Sequence, residues 1–359
     1  MSKDFLAIIS LTLVVVAVPV LSVFQSNNLA VAEEVSSSSE SSVSEVLPTL
    51  LEVKSVASEE ISVSTTRTEP KNNSYVFSRD YFKVYDKGSE KIINVSVDDY
   101  VLGAIAAEMP STFHREALIA QGISALSYAV FNANRAEALP NGADFEVNIS
   151  KRQGYVTEDR IKEFYGDSWE YHYNKIKDAA EVAKKYVMTY ENEPIAAAYH
   201  AISSGDTEAS ENVWGEALPY LSAVPSSSDI LAKDYSTTVI FSPEELKEKL
   251  SIIKPKLLPD TDTWLEIISR SSSGYVTEIR VGNQSMSGLD FRNILGLRSS
   301  AFTITRQGKA FVFTVNGYGH GVGLSQNGAD YMARQGIGYK EILEHYYKGA
   351  TLSEFSTKG

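Results

Sequence analysis

The sequence predicts an α+β fold, because helical and strand patterns are mixed without the regular strand–helix–strand alternation of parallel-sheet proteins. The chain has 359 residues, of which 43% are hydrophobic, enough for one large domain or two ordinary ones. We expect a mixed helical and β domain over 75–359, with a smaller α+β module inserted at about 235–312. An N-terminal transmembrane helix and a disordered tether are expected before it.

The N-terminal residues predict a membrane-anchored protein whose folded part lies outside the cytoplasm. Residues 1–4 are expected to form a cytoplasmic stub, and the uncharged apolar run over 5–24 is long enough to cross a bilayer. Ala30-Val31-Ala32 resembles a signal-peptidase site, so cleavage of this segment is the alternative. Residues 25–74 are rich in Ser and Glu, which predicts a disordered linker.

Composition excludes several classes of function. The net charge of −13 and the lack of a basic stripe argue against a nucleic-acid partner. Cysteine is absent, which removes disulfides, thiolate metal sites and cysteine nucleophiles. The five histidines show no close pairing typical of metal ligands, so we expect neither a metal nor a cofactor.

The first predicted elements are a pair of strands over 76–84 and 91–95, followed by a short helix. This helix should end near Glu108, because Pro110 disfavours helical geometry in the residue before it. The remaining predicted elements, in chain order, are a helix over about 116–135, helices within 157–187, a hairpin over 187–200 that turns at Glu191–Pro194, a Ser/Gly loop at 203–208, a helix capped by Ser242, strands over 275–281 and 310–315 around a short helix near 289–295, and two short helices after the glycine-rich segment 316–323.

Glu108 shares the apolar stripe of its helix with Val101 and Ile105. Burying an unpaired carboxylate costs several kcal/mol, which leaves two explanations open. One is a salt bridge, for instance to Arg115 or Arg135. The other is a general acid, whose pKa would be raised by partial burial and by the negative end of the helix dipole.

Two histidines lie in segments that favour contact with a ligand. His320 stands among glycines that let the backbone approach a ligand closely, although a tight packing turn with an incidental histidine is equally open. His200 precedes the 203–208 loop, where a half-buried, hydrogen-bonded role is the alternative. Four aromatic residues near these loops suit either the core or stacking on sugar rings: Tyr199, Trp214, Tyr220 and Tyr318.

Four segments, taken together and in order, resemble the stage II sporulation protein D family. They are 98–130, 196–229, 287–302 and 317–352, so that the likeness spans about 90–352. The resemblance implies a membrane-anchored lytic transglycosylase that cuts the bond between N-acetylmuramic acid (MurNAc) and N-acetylglucosamine (GlcNAc). Its substrate would be peptidoglycan strands stripped of stem peptides during sporulation and engulfment, and its products would carry 1,6-anhydro-MurNAc ends.

The resemblance also implies roles for particular residues. Glu108, in the segment AAEMP, would be the catalytic acid and base. Substrate-binding roles are implied for Gln121, His200, Ser203, Thr207, Asp229, Tyr318 and His320. One carboxyl group suffices for this reaction, whereas an ordinary hydrolase needs a second carboxylate about 5 to 9 Å away, for which Asp229 is a candidate.

The related amidase-enhancer branch provides the alternative, a non-catalytic glycan-binding enhancer of a cell-wall amidase. The partners implied are peptidoglycan strands, a cell-wall amidase, a polytopic membrane protein of the engulfment machinery, and the septal or engulfing membrane through the N-terminal helix. The sequence departs from the family in several places, among them residues 144–155, where some relatives bind zinc through Cys and His and this chain has neither. Leu126 and Ser222 stand where the family usually has Arg and Lys, and Ala201-Ile202 replaces a Ser-Thr run.

Overall fold

The computed structural model describes residues 73–135, 139, 141–152 and 154–358. The predicted stub, the predicted transmembrane helix and nearly all of the predicted linker lie outside these residues. Within the described ranges, no helix combines the length and the apolar character needed to cross a bilayer.

Helices and strands are mixed along the described chain, in agreement with an α+β fold. The strands are β1 (Ser74–Phe77), β2 (Tyr81–Asp86), β3 (Lys91–Ser96), β4 (Phe145–Val147), β5 (Tyr186–Tyr190), β6 (Glu193–Pro194), β7 (Tyr199–His200), β8 (Ser236–Phe241), β9 (Leu265–Arg270), β10 (Val276–Val281), β11 (Gln284–Ser287), β12 (Phe302–Gln307), β13 (Ala310–Asn316), β14 (Leu324–Ser325) and β15 (Thr351–Thr357). The helices are α1 (Val97–Glu108), α2 (Arg115–Asn134), α3 (Glu158–Tyr165), α4 (Trp169–Ala183), α5 (Ser210–Trp214), α6 (Pro243–Leu250), α7 (Gly288–Leu295), α8 (Gln326–Arg334) and α9 (Tyr339–Tyr346).

Helix α2 forms the centre of the larger hydrophobic core. It packs against α1, α4, α8, α9 and strand β5. Gly122 allows the close approach, since a Cβ there would lie 2.7 Å from Ala183 of α4 and 2.8 Å from Ile105 of α1. Helix α1 is consequently buried on nearly all sides, and its last residue, Glu108, lies inside the fold.

The predicted first strand over 76–84 is two strands, so the prediction of one continuous strand was wrong. Strand β2 pairs antiparallel with β3 as expected. Strand β1 instead pairs in parallel with the C-terminal β15, in a sheet of order β1-β15-β5-β6. The division lets Phe77 be buried against Phe82 and Phe355, which a straight strand paired only with β3 would not allow.

The predicted hairpin over 187–200 is shorter than expected. Strands β5 and β6 turn at Glu191 and Asn192, whose φ angles of 52° and 68° are those of a tight hairpin turn. The last two residues of the range form β7, which leaves the hairpin and pairs in parallel with β14. This departure matters because β7 carries two of the residues that surround the candidate site.

A second hydrophobic core lies between Phe241 and Val315. It is enclosed by the sheets β11-β10-β9 and β12-β13-β8 together with α6 and α7. Helix α6 begins as predicted, because the Ser242 side chain and the Glu245 side chain each accept a hydrogen bond from the other's backbone N–H. This core overlaps the range of about 235–312 predicted as an inserted module and extends past it to Val315. The module's independence as a domain stays a prediction.

Candidate active site

Glu108 is a buried carboxyl group, with 5% of its surface exposed. Helix α1 stops there, because Met109, next to Pro110, has the extended backbone angles φ −122° and ψ 140°. The backbone N–H of Gly154 donates a hydrogen bond to Glu108 Oε1 at 2.7 Å. The side chain is thus held from outside its own helix, by the segment that leads into α3.

The salt-bridge explanation for Glu108 is wrong among the described residues, where no cation pairs with it. Arg115 pairs with Asp178 and Glu116. The guanidinium of Arg135 lies over the ring of Phe131, 4.4 Å from its centroid. The other explanation, a carboxyl group available for chemistry, therefore remains.

Burial raises the pKa of Glu108 to about 7, although the hydrogen bond from Gly154 opposes this rise. At neutral pH the group is therefore close to half protonated, so that it can both give and take a proton. Two phenols lie in its electrostatic range. Burial, and after it the charge of Glu108, raises the pKa of Tyr100 and of Tyr199, so that both phenols keep their protons.

Strand β7 separates Glu108 from the predicted histidines. Successive side chains of a strand point to opposite faces, so Tyr199 faces Glu108 while His200 faces the glycine-rich loop. His200 Nδ1 lies 3.1 Å from the carbonyl oxygen of Val322, and its ring centroid is 5.8 Å from that of His320. The structure thus brings the two histidines together, on the other face of the strand from Glu108.

Both histidines are neutral because both are buried. Desolvation lowers the pKa of His200 to about 4, with the hydrogen bond to Val322 opposing it. Desolvation, followed by the nearby His200 and Arg292, lowers the pKa of His320 as well. The Val322 N–H donates to His320 Nδ1 at 3.0 Å, and the ring of Trp214 lies 5.3 Å from that of His320. These rings suit hydrogen bonding and stacking better than proton transfer at neutral pH.

Asp229 is a second buried carboxyl group, but it holds loops together. Its Oδ2 accepts hydrogen bonds from the Ser203 N–H at 2.8 Å and from the Ser226 hydroxyl at 3.1 Å. Burial raises its pKa, and the hydrogen bonds from Ser203, Ser325 and Ser226 oppose that rise. None of these hydrogen bonds reaches Glu108, whose carboxylate is bound instead by the Gly154 N–H.

The remaining predicted binding residues are also buried. Gln121 Oε1 accepts a hydrogen bond from Gln326 Nε2 at 3.2 Å, while Gln121 Nε2 has no partner among the described residues. The Thr207 hydroxyl is occupied by the backbone of Val224, accepting from its N–H and donating to its carbonyl. Tyr318 lies under the guanidinium of Arg298, 4.2 Å from the ring centroid.

Strands β7 and β14 connect these groups. Ser325 pairs with His200 in the parallel ladder, and Gln326 follows directly at the start of α8. Gly323, with φ +73°, makes the ladder possible, since a Cβ there would overlap the carbonyl oxygen of Ala198. Ser325 and Gln326 thus link Gln121, His200 and Asp229, whereas the charge of Glu108 acts on Tyr199 of the same strand pair.

Two residues near Glu108 were missed by sequence analysis. Gly154 supplies the hydrogen bond to its carboxylate, and Arg152 Nη2 donates to the Ala106 carbonyl at 2.7 Å. The basic, glycine-containing stretch 150–154 was the available signal, but nothing in it indicates a partner in α1. Leu126, at the family's usual arginine position, lies fully buried in the core. Arg152 is thus the described cation tied to the end of α1.

Comparison with known proteins adds a family context. A family model described as stage II sporulation protein matches residues 85–190. The chain is 35% identical over 273 residues to stage II sporulation protein D of Bacillus amyloliquefaciens, covering 76% of this chain and 78% of that protein. Identity to stage II sporulation protein D of Bacillus subtilis is 33% over 302 residues, covering 84% and 87%. The amidase enhancer of Bacillus subtilis is 26% identical over 306 residues, covering 70% of this chain and 40% of that protein.

Proposed function

Since the chain belongs to the stage II sporulation protein D family, we propose that it is a peptidoglycan lytic transglycosylase that acts during sporulation. Its substrate is the glycan strand after removal of the stem peptides. It breaks the MurNAc–GlcNAc bond and leaves 1,6-anhydro-MurNAc ends. The domain works outside the cytoplasm, held at the membrane by residues 5–24.

The observation that carries this proposal is the state of Glu108. The carboxyl group is buried, has no ion pair among the described residues, and has a pKa raised to about 7. A group with this pKa is protonated often enough to act as an acid and ionised often enough to act as a base. The Asp144 carboxylate, by contrast, forms an ion pair with Arg79.

The reaction needs this one carboxyl group in two roles. Protonated Glu108 gives its proton to the glycosidic oxygen as the bond from C1 breaks, through an oxocarbenium-like state. The resulting carboxylate then accepts the proton of the sugar's own C6 hydroxyl while O6 bonds to C1. No water is consumed, and Glu108 ends protonated as it began.

The surroundings of Glu108 agree with this scheme. The phenols of Tyr100 and Tyr199 keep their protons and remain hydrogen-bond donors beside the carboxyl group. The N–H of Gly154 steadies the ionised form when the first proton has left. At the second buried carboxyl group, Asp229, Oδ2 accepts loop hydrogen bonds while Oδ1 has no partner among the described residues, and the one-carboxyl scheme gives it no role.

A second function is favoured by one observation, the buried Leu126 where the family usually carries a cation. In this alternative the chain binds glycan strands without cutting them and stimulates a cell-wall amidase. The likeness to a protein named amidase enhancer supports it. In both cases the proposed partners are peptidoglycan strands, an amidase that strips stem peptides, and a polytopic membrane protein that localises the two.

The test is incubation of the purified protein with peptide-stripped glycan strands, followed by mass spectrometry of the products. We expect anhydro-muramyl ends from the wild type and none from Glu108→Gln, which keeps the shape but cannot transfer the proton. Glu344→Gln, the same change at an exposed position on α9, is the matched control and should leave the products unchanged. Strand binding with no anhydro product, unaffected by Glu108→Gln, would contradict the enzyme and favour the amidase enhancer.

A further inference from the structure

Arg152 is a buried cation with unused hydrogen-bond donors. Its side chain is 9% exposed, and its Nε and Nη1 atoms have no hydrogen-bond partner among the described residues. Its backbone has φ +54°, a left-handed conformation that residues other than glycine rarely adopt. Strained backbone of this kind persists where surrounding structure enforces it, and it is concentrated at ligand-binding positions.

No described carboxylate compensates the charge of Arg152. Desolvation lowers the pKa of this guanidinium, and the charge and side-chain hydrogen bond of the Tyr165 phenol oppose that fall. A buried charge normally has a counter-ion, because desolvation of an unpaired ion is unfavourable. The Arg152 guanidinium therefore lacks a counter-ion, which an anionic ligand would supply.

The guanidinium is fixed to the helix that ends at Glu108. Its Nη2 donates to the carbonyl oxygen of Ala106, two residues before Glu108 in α1. Two residues after Arg152, the N–H of Gly154 donates to the Glu108 carboxylate itself. Arg152 and Gly154, two residues apart, therefore tie the unpaired guanidinium and the Glu108 carboxylate to the same end of α1.

An aromatic ring covers the guanidinium on its outer side. The Arg152 Cζ atom lies 3.6 Å from the ring centroid of Phe164, a cation–π contact. Phe164 is 43% exposed at the end of α3, so its outer face is open to solvent and available to the apolar face of a sugar ring. A saccharide that carries a carboxylate matches both features, the stacking surface and the cation beneath it.

We propose that Arg152 binds the free lactyl carboxylate of a MurNAc residue and so selects strands whose stem peptide has been removed. This inference rests on the proposed function, because it names the group by which the same site recognises its substrate. The lactyl carboxyl is an uncharged amide while the peptide is attached and becomes an anion only after an amidase has acted. The Nε–H and Nη1–H groups donate charge-assisted hydrogen bonds to that anion in the plane of the guanidinium, so the Phe164 ring keeps its place on the guanidinium face.

The first test compares wild-type protein on stripped strands with free lactyl carboxylates and on the same strands after methyl esterification. We expect KM to be about 10- to 100-fold higher for the esterified strands, the usual effect of losing a charge-assisted hydrogen bond, with kcat nearly unchanged. Arg152→Gln should show the raised KM on both substrates and no longer distinguish them. Arg280→Gln, which removes an exposed arginine of β10 paired with Glu266, is the matched control and should behave as wild type.

Several outcomes would overturn the inference. Equal KM values for free and esterified strands in the wild type would do so without any variant, which covers the case that Arg152→Gln does not fold. A fall in kcat with unchanged KM in Arg152→Gln would assign Arg152 to the support of α1 instead. Binding of free and esterified strands to Glu108→Gln, which cannot cleave them, tests this inference apart from the proposed function. Equal affinity for the two strand types would overturn the inference. Carboxylate-dependent binding without any anhydro product from the wild type would retain Arg152 and reject the transglycosylase.

Discussion

Replacing Glu108 by Gln should make stability less dependent on pH. In the folded protein, burial raises the pKa of Glu108 from 4.5 to about 7, so folding favours the protonated carboxyl. The stability associated with this proton is fully present below about pH 4.5 and is lost as the pH rises to about 7. Gln is neutral throughout and carries no such loss.

The size of the effect follows from the shift in pKa. Each unit corresponds to about 1.4 kcal/mol, so the rise from 4.5 to about 7 is equivalent to about 3 kcal/mol. The free energy of unfolding of Glu108→Gln, minus that of the wild type, should therefore increase by about 3 kcal/mol between pH 4 and pH 8. Because Glu108 is almost fully buried, solvent screening reduces this figure little.

Urea denaturation at a series of pH values measures this difference directly. The matched control is Gln121→Ala, a buried polar change without a titrating group, whose effect should be the same at each pH. A difference between Glu108→Gln and the wild type that stays constant from pH 4 to pH 8 would refute the reasoning. It would mean that the carboxyl ionises normally, and the argument for a general acid would fall with it.

The remaining predictions concern the reaction, the loop and the core. For glycan cleavage, kcat/KM should fall above about pH 7 as Glu108 loses its proton, and a flat profile between about pH 6 and pH 9 would contradict the acid role. Gly323→Ala and Gly296→Ala both place a side chain at φ +73°, but only the Gly323 substitution overlaps a backbone carbonyl. Gly323→Ala should therefore lower the free energy of unfolding by at least about 2 kcal/mol more than Gly296→Ala. Equal losses in urea denaturation would contradict the overlap. Gln121→Leu and Gln326→Leu should each cost about 1 to 3 kcal/mol and the double variant less than the sum, whereas additive losses would show that their hydrogen bond is not formed.

The helices were largely predictable because their signals are local. The end of α1 at Glu108 follows from Pro110, and the start of α6 follows from Ser242 and its capping box. Burial was less predictable. A one-sided stripe was expected in α1, but the helix is enclosed on nearly all sides, since its alanines and Gly103 let neighbouring elements approach closely.

The contacts that decide the site could not be predicted, because they join distant parts of the chain. The donor to Glu108 is Gly154, on a segment with no periodic pattern of its own. Strand β7 was assigned to a hairpin, since a two-residue strand has too few side chains to show which partner it will choose. The motif residues His200 and His320 were predicted as binding residues, and their position on the opposite face of β7 from Glu108 depends on that pairing.

The parallel pairing of β1 with β15 has a consequence for how the protein is made. Strand β15 lies between β1 and β5, with Ser74 opposite Glu354, so the first described strand pairs with the last described strand. Contacts of such sequence separation form slowly, since a long loop must close before they stabilise anything. The sheet is therefore completed only after β15 has left the ribosome, and removal of β15 would leave β1 without a strand partner among the described residues.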